Sequence, residues 1–193
     1  ICLLRFQSET ESYLFDGYTN INLNNDLIAF NIQELLYSKN SRLINTQILN
    51  LLTYLNNNIV SNKIINDRSN VKKHIMIIVD EFHLFIDEDN FEVLKTFGQL
   101  ARRLRKYSGS LVVSTQSIKD FVGNHQILRH ATAIFNNCQY QFVGMLKEDD
   151  LKAYFDLFKN NPLTDTQVSF LNTCKQGEFL LNIDSKTRLS IEI

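Results

Sequence analysis

Two carboxylates stand side by side at Asp80 and Glu81, directly after the apolar run Ile75-Met-Ile-Ile-Val79. A strand that is apolar throughout and ends in Asp-Glu delivers both side chains to the carboxyl edge of a parallel sheet, where open α/β folds bind ligands. Such a pair suits nucleotide hydrolysis. The first carboxylate would hold the Mg²⁺ of Mg-ATP, usually through water, and the second would orient or deprotonate the attacking water. Alternation along a strand points neighbouring side chains in different directions, so adjacent acids can take different roles. Taken alone, the pattern equally describes a strand that ends in two solvated acids.

A second apolar run, Leu111-Val-Val113, follows and ends in Ser114-Thr115-Gln116. If it pairs beside the first, Thr115 and Gln116 reach the same sheet edge and join Asp80 and Glu81 as nucleotide-binding groups. There the Gln amide can hydrogen-bond a γ-phosphate or its attacking water, reporting which nucleotide is bound. A polar strand end that caps the next helix is the alternative. Between the two runs lies Arg102-Arg103-Leu104-Arg105-Lys106, four bases in five residues. At about 100° per residue, Leu94, Phe97, Ala101 and Leu104 form an apolar stripe, and Lys95, Gln99, Arg102 and Lys106 fall opposite it. Arg105 falls on the margin of the stripe, where a guanidinium needs an anion. It could serve as an arginine finger, as a partner of the acidic strand end, or in an internal salt bridge. His83 completes Asp80-Glu-Phe-His83, the DExH pattern of helicases.

These side chains need a scaffold, and the periodicity supplies one. Leu27–Ile32 reads as a short strand. From Ser41 the apolar positions Ile44, Ile48, Leu51, Leu52, Leu55 and Ile59 mark one stripe of a long helix. The runs His74–Val79 and Ser110–Ser114 read as strands covered on both faces. Asn90–Tyr107 is helical and Gly109 ends it. Ser117–Phe121 and His125–Ala131 read as short helices, and Ala133–Phe135 and Gln139–Val143 as further strands. Helices at Lys147–Lys159, with Leu151, Tyr154, Phe155 and Phe158 on one face, and Thr164–Cys174 follow. Glu178–Ile183 and Thr187–Ile193 alternate with period two about Asp184-Ser-Lys186, a closing hairpin. Strand and helix in alternation predict an α/β domain with a largely parallel sheet.

Composition narrows the reading further. In 193 residues there are six Gly and one Pro, too few for a turn-dense or linker-rich chain. Asn, Asp and Ser then supply the turn propensity, and Asn is abundant at 22 residues. The Asn residues are dispersed, with one run at Asn56-Asn57-Asn58, which argues against a prion-like segment and for an A/T-rich genome writing Asn, Ile and Lys. The net charge is −1, from 20 basic and 21 acidic residues. No global field draws the chain to nucleic acid or an anionic membrane, so any such contact is a local patch. Cys2, Cys138 and Cys174 lie far apart, against a disulfide framework or a zinc site. His125 and His130 read as structural or exposed. No apolar run approaches the ~20 residues of a membrane helix.

Three segments together, Ile78-Val-Asp-Glu-Phe-His83, Leu100-Ala-Arg-Arg-Leu-Arg-Lys-Tyr-Ser-Gly109 and Leu111-Val-Val-Ser-Thr-Gln-Ser-Ile-Lys-Asp-Phe121, resemble one family. The chain is similar to the VirB-type conjugation ATPases of type IV secretion systems (the TraC, TrbE or TrsE group), relatives of the FtsK and HerA motors. Leu14-Phe-Asp-Gly-Tyr-Thr19 and Gly177-Glu-Phe-Leu-Leu181 extend the likeness from about Leu14 to the C-terminus. His83 departs from it, since an aromatic residue often follows Asp-Glu-x there. The later strand also departs from helicases, which carry Ser-Ala-Thr where this chain has Ser114-Thr115-Gln116.

The resemblance implies an α/β, RecA-like P-loop core, three-layered with a mostly parallel sheet, incomplete here and closed by a C-terminal β-hairpin. It makes Asp80 the Mg²⁺ carboxylate, Glu81 the catalytic base, Gln116 the sensor, and the region of Arg105 the source of a finger acting in trans. Arg102, Arg103 and Lys106 would contact DNA or a neighbouring subunit. ATP and Mg²⁺ are the implied cofactors. A hexameric ring, secretion components at the membrane and DNA are the implied partners, at the cytoplasmic face of the cell membrane.

One element of that family is missing. No Gly-x-x-x-x-Gly-Lys-Ser/Thr occurs in the sequence, which begins at Ile1 rather than Met. The expectation is therefore the C-terminal part of a motor, from a truncation or a broken gene. Residues 1–13 would end an upstream helical segment and residues 14–193 would belong to the ATPase domain. Such a chain would be inactive alone. The alternatives are a non-catalytic interaction or DNA-docking remnant and a DExH-type helicase fragment.

Overall fold

The computed structural model describes residue 18 and residues 25–37, 40–86, 91–104, 106–184 and 187–193. The chain divides into two compact units, Ile1–Ser38 and Lys39–Ile193. The expected boundary at residues 13 and 14 and the turn around Gly17 lie outside the described residues.

In the first unit a short helix, α1, spans Gln33–Tyr37. The strand expected at Leu27–Ile32 does not form. Asn31 instead turns the chain, its Oδ1 accepting from the Gln33 backbone N–H at 3.0 Å, a local bond that competes with strand pairing.

The second unit opens on α2, Ser41–Arg68, capped by Asn40, whose Oδ1 accepts from Leu43 N–H at 3.2 Å. The expected stripe is inward: Ile48, Leu52 and Ile59 are buried. At the far end buried Asn66 clamps the turn into the next strand. Its Nδ2 donates to Lys73 O at 2.7 Å and its Oδ1 accepts from Lys73 N–H at 2.9 Å. Here Asn does by side-chain hydrogen bonding what Gly or Pro does elsewhere by backbone preference.

Strands β1, Ile75–Val79, and β2, Gly109–Val113, pair in parallel, from Ile75 opposite Gly109 to Val79 opposite Val113. The helix between them, α3, spans Glu92–Leu104 and buries Val93, Leu94, Phe97, Gly98, Leu100 and Leu104. It packs on α2, on β2 and on α4, His125–Phe135. The expectation of strands covered on both faces is corrected. Met76 and Ile78 are 63% and 69% exposed and Val112 44%, because among the described residues helices pack on one side of this pair only.

The strand expected at Ala133–Phe135 is the last turn of α4. Ile127, Ala131 and Ile134 are buried at positions i, i+4 and i+7, so the helical stripe runs through the segment and overrides its short apolar look. Asn124 caps this helix, accepting from Gln126 and Ile127 N–H at 3.0 and 2.9 Å.

Strand β3, Gln141–Val143, leads to α5, Glu148–Leu157, and α6, Asp165–Thr173. On α5 the buried face is Leu151, Tyr154 and Leu157, while Phe155 stays exposed. Thr164 and Gln167 form a reciprocal capping box at the start of α6. The hairpin of β4, Glu178–Asn182, and β5, Arg188–Glu192, closes the chain. β4 also pairs antiparallel with β3. Among the described residues the architecture is thus mixed α/β, with one parallel pair and one antiparallel three-stranded sheet, rather than the largely parallel sheet expected.

A file of aromatic rings ties the strand ends to the C-terminal half. Phe82 packs edge-on to Phe97 at 4.9 Å and stacks on Phe121 at 5.8 Å. Phe121 meets Phe135 at 5.1 Å, Phe135 meets Phe158 at 6.0 Å, and Phe158 meets Tyr154 at 4.5 Å. Phe82 and Phe121 are fully buried. The residue directly after Glu81 is therefore the anchor of the core.

Candidate functional site

The parallel pairing of β1 and β2 brings Asp80-Glu81 and Ser114-Thr115-Gln116 together at one sheet edge. The ladder runs past the strand ends: Ser114 N–H donates to Val79 O at 2.9 Å, and Phe82 N–H donates to Ser114 O at 2.8 Å. The second bond requires the chain to turn sharply at Glu81, which adopts the left-handed conformation at φ 50°, ψ 49°. For a residue with a Cβ that conformation costs roughly 1–2 kcal/mol. It is held by buried Phe82, which begins a 3-10 turn over Phe82–Phe85.

Asp80 is exposed, and its Oδ1 accepts from the Ser114 hydroxyl and, at 3.0 Å, from Glu81 N–H. The Ser114 hydroxyl first and the Glu81 amide second hold its carboxyl below the usual carboxylate range, since both donors favour the ionised form. Glu81 Oε1 accepts from Gln116 Nε2. Glu81 Oε2 is buried with no donor in hydrogen-bond geometry, and His83 Nδ1 lies 3.3 Å from it. Thr115 Oγ1 accepts from Ser117 N–H at 3.3 Å, donates to Ser117 O at 3.2 Å, and lies 3.5 Å from His83 Nδ1.

Asp80, Glu81, Thr115 and Gln116, singled out from the sequence, thus form one cluster. Thr115 spends its hydroxyl on its own loop and beside His83. Arg102, Arg103 and Lys106 are exposed at the end of α3 and beyond it. Arg103 Nη1 donates to Asn56 Oδ1 on α2 at 3.1 Å. Among the described residues no hydrogen bond or ion pair joins these three to Asp80 or Glu81. Arg105 lies outside the described residues.

The sequence reading did not give His83 its place against Glu81 and Thr115, nor Phe82 its role as anchor. Glu81 and His83 both lie beyond the end of β1, and they meet because the chain turns at Glu81. The DExH likeness was the one available pointer.

An exposed, ionised carboxylate with free lone pairs suits a hard divalent cation held through water, and Asp80 meets that description. Among the described residues no group of three or more His, Cys, Asp or Glu could hold a metal ion, so a cation here would keep most of its ligands from water or substrate. No helix among the described residues is long and apolar enough to cross a membrane.

Fold and site together describe a mixed α/β protein with a carboxylate pair and a glutamine at the carboxyl edge of two parallel strands. The sequence matches no protein-family profile. The chain is similar in structure to VirB4 of Thermoanaerobacter pseudethanolicus, with a TM-score of 0.78, 26% identity, and coverage of 99% of this chain. It is also 22% identical over 184 residues to an uncharacterised protein of Bacillus anthracis, covering 89% of this chain. It spans 47% of the VirB4 chain and 28% of the Bacillus protein.

Proposed function

We propose that this chain is the C-terminal part of a VirB4-like, RecA-like P-loop motor that hydrolyses ATP to energise conjugative DNA or protein transfer through a type IV secretion system. The observation that carries the proposal is the cluster at the β1–β2 edge, where Ser114 holds Asp80 and Gln116 holds Glu81 across two parallel strands. The structural likeness to VirB4 along 99% of the chain supports it.

In this reading Asp80 holds Mg²⁺ through water, Glu81 takes the proton of the attacking water, and Gln116 senses the γ-phosphate. Bound Mg²⁺ would supply charge neutralisation at the phosphates. Thr115 supports the site through its loop. Arg105 is the candidate finger, and Arg102, Arg103 and Lys106 are candidates for contact with DNA or a neighbouring subunit. The whole motor would act as a hexameric ring with secretion components at the cytoplasmic face of the membrane.

This chain contains no glycine-rich phosphate loop. We assign that loop to a segment outside it, seated on the open face of β1 and β2. Met76, Ile78 and Val112 line that face, and by strand alternation it is the side to which exposed Asp80 and Ser114 belong. The reading frame upstream of Ile1 tests the proposal: it should encode Gly-Lys-Ser or Gly-Lys-Thr after an apolar strand. Residues 1–193 alone should show no measurable hydrolysis, and robust ATPase activity from them would contradict the assignment.

A further inference from the structure

We infer that His83 is a positioning residue for Glu81, donating its Nδ1–H to Oε2 and fixing the plane of the carboxylate. The inference rests on the reading of Glu81 as the base and adds a member to that site. Glu81 has two oxygens with unequal surroundings. Oε1 is satisfied by Gln116, whereas Oε2 is buried without a well-aligned donor. A carboxylate oxygen left so is costly, and the nitrogen that lies within reach is His83 Nδ1, at 3.3 Å.

The neighbouring hydroxyl decides the tautomer. Thr115 Oγ1 has one hydrogen, and its acceptor in the loop is Ser117 O at 3.2 Å. The hydroxyl can therefore accept from Nδ1 at 3.5 Å but has no second proton to give it. A proton on Nδ1 is shared between Glu81 Oε2 and Thr115 Oγ1. A bare Nδ1 would instead face two lone pairs. The arrangement thus selects Nδ1–H, leaving Nε2 as the acceptor. The left-handed turn at Glu81 makes the contact geometrically available, since it folds the chain back so that residues two apart meet. Catalytic hydrogen bonds are often long before substrate assembles the site, and a separation of 3.3 Å with poor alignment fits a contact that tightens on closure.

Two experiments test this. In the 193-residue chain, long-range ¹H–¹⁵N correlation at a pH where the imidazole is neutral should show His83 as the Nδ1–H tautomer, against the Nε2–H form usual for free histidine. Glu81→Ala should shift His83 toward Nε2–H. An Nε2–H wild type overturns the inference. In the complete polypeptide encoded by the reading frame, His83→Phe should lower kcat on the order of tenfold to a hundredfold with KM for ATP unchanged. His83→Asn, whose amide nitrogen occupies the place of Nδ1, should restore most of the rate. His83→Gln, whose amide reaches the place of Nε2, should not. Loss of turnover in Glu81→Gln with full turnover in His83→Phe would contradict the role of His83 alone. Full turnover in Glu81→Gln would contradict the base assignment and the role of His83 with it.

Discussion

Gln116 donates its side-chain amide to Oε1 of Glu81, although 35 positions separate them in the chain. The bond exists because β1 and β2 pair in parallel and both end at the same level, Val79 opposite Val113. The proposed sensor and the proposed base are thus hydrogen-bonded partners. A γ-phosphate would have to draw Gln116 toward itself, so ligand occupancy and the freedom of the base are coupled at one amide. In the complete polypeptide, Gln116→Ala should leave ATP affinity close to wild type and reduce kcat by about a hundredfold, the usual cost of losing one positioned donor. Steady-state kinetics with separate nucleotide titration would show it; unchanged kcat would remove Gln116 from the site.

The strand ends are held from behind by Phe82. It is fully buried, and its ring meets Phe85, Phe97 and Phe121 with centroids 4.9 to 6.1 Å away. Phe82→Ala should cost about 3–5 kcal/mol, the range for truncating a buried aromatic ring. Urea denaturation of residues 1–193 measures this directly. A loss under 1 kcal/mol would mean that the loop is not anchored as described.

Glycine is scarce, and two positions show why it is kept. A Cβ at Gly109 would collide with buried Leu104 and stand 3.3 Å from Ile75 O. Gly177 has φ +91°, and a Cβ there would lie 2.9 Å from Ile193 O, whose own backbone N–H donates to Gly177 O at 2.9 Å. Either Gly→Ala change should cost roughly 1–3 kcal/mol. The two should add when combined, since Gly109 opens β2 and Gly177 lies in the turn before β4, without shared partners. Denaturant midpoints of the two single variants and the double variant check both claims.

His130 stacks on Phe91 at 5.6 Å. Burial, followed by the nearby charges of Arg129, Lys95 and Arg102, holds its pKa below the ordinary 6.5, with Glu92 opposing. The folded state therefore binds fewer protons than the unfolded state between the lowered value and 6.5, and stability rises with pH across that window. The contribution is complete above 6.5 and lost as pH falls through the folded value. His130→Phe keeps a ring against Phe91 and removes the titration. Its urea midpoint should fall less than that of the wild type between about pH 7.5 and about pH 5. Equal falls would contradict the assignment.

Much of this was legible from residue order because it depends on local pattern. The stripe of α2, the β1 and β2 runs with their polar ends, and the closing hairpin all follow from periodicity and punctuation. What failed depended on neighbours. Leu27–Ile32 has strand-like residues, but Asn31 ends the run by accepting from the Gln33 backbone N–H. Ala133–Phe135 looks apolar and short, yet it completes a stripe begun at Ile127. Met76 and Ile78 read as covered, and their exposure follows from which elements pack on the sheet, a fact no single strand encodes. In the site, residue types at the strand ends were enough to single out Asp80, Glu81 and Gln116. The contact of His83 was hidden, because it depends on a left-handed backbone at Glu81, a turn that accompanies the burial of Phe82 and the bond from its N–H to Ser114 O.

In the proposed function Glu81 activates water for ATP hydrolysis, with the phosphate loop supplied from outside this chain. Glu81→Gln keeps the size of the side chain and the bond to Gln116 within reach while removing the base. The decisive measurement is ATP turnover and ATP binding by that variant of the complete polypeptide, side by side with wild type. If Glu81 is the base, turnover is abolished while nucleotide still binds. Turnover at the wild-type rate would contradict that assignment.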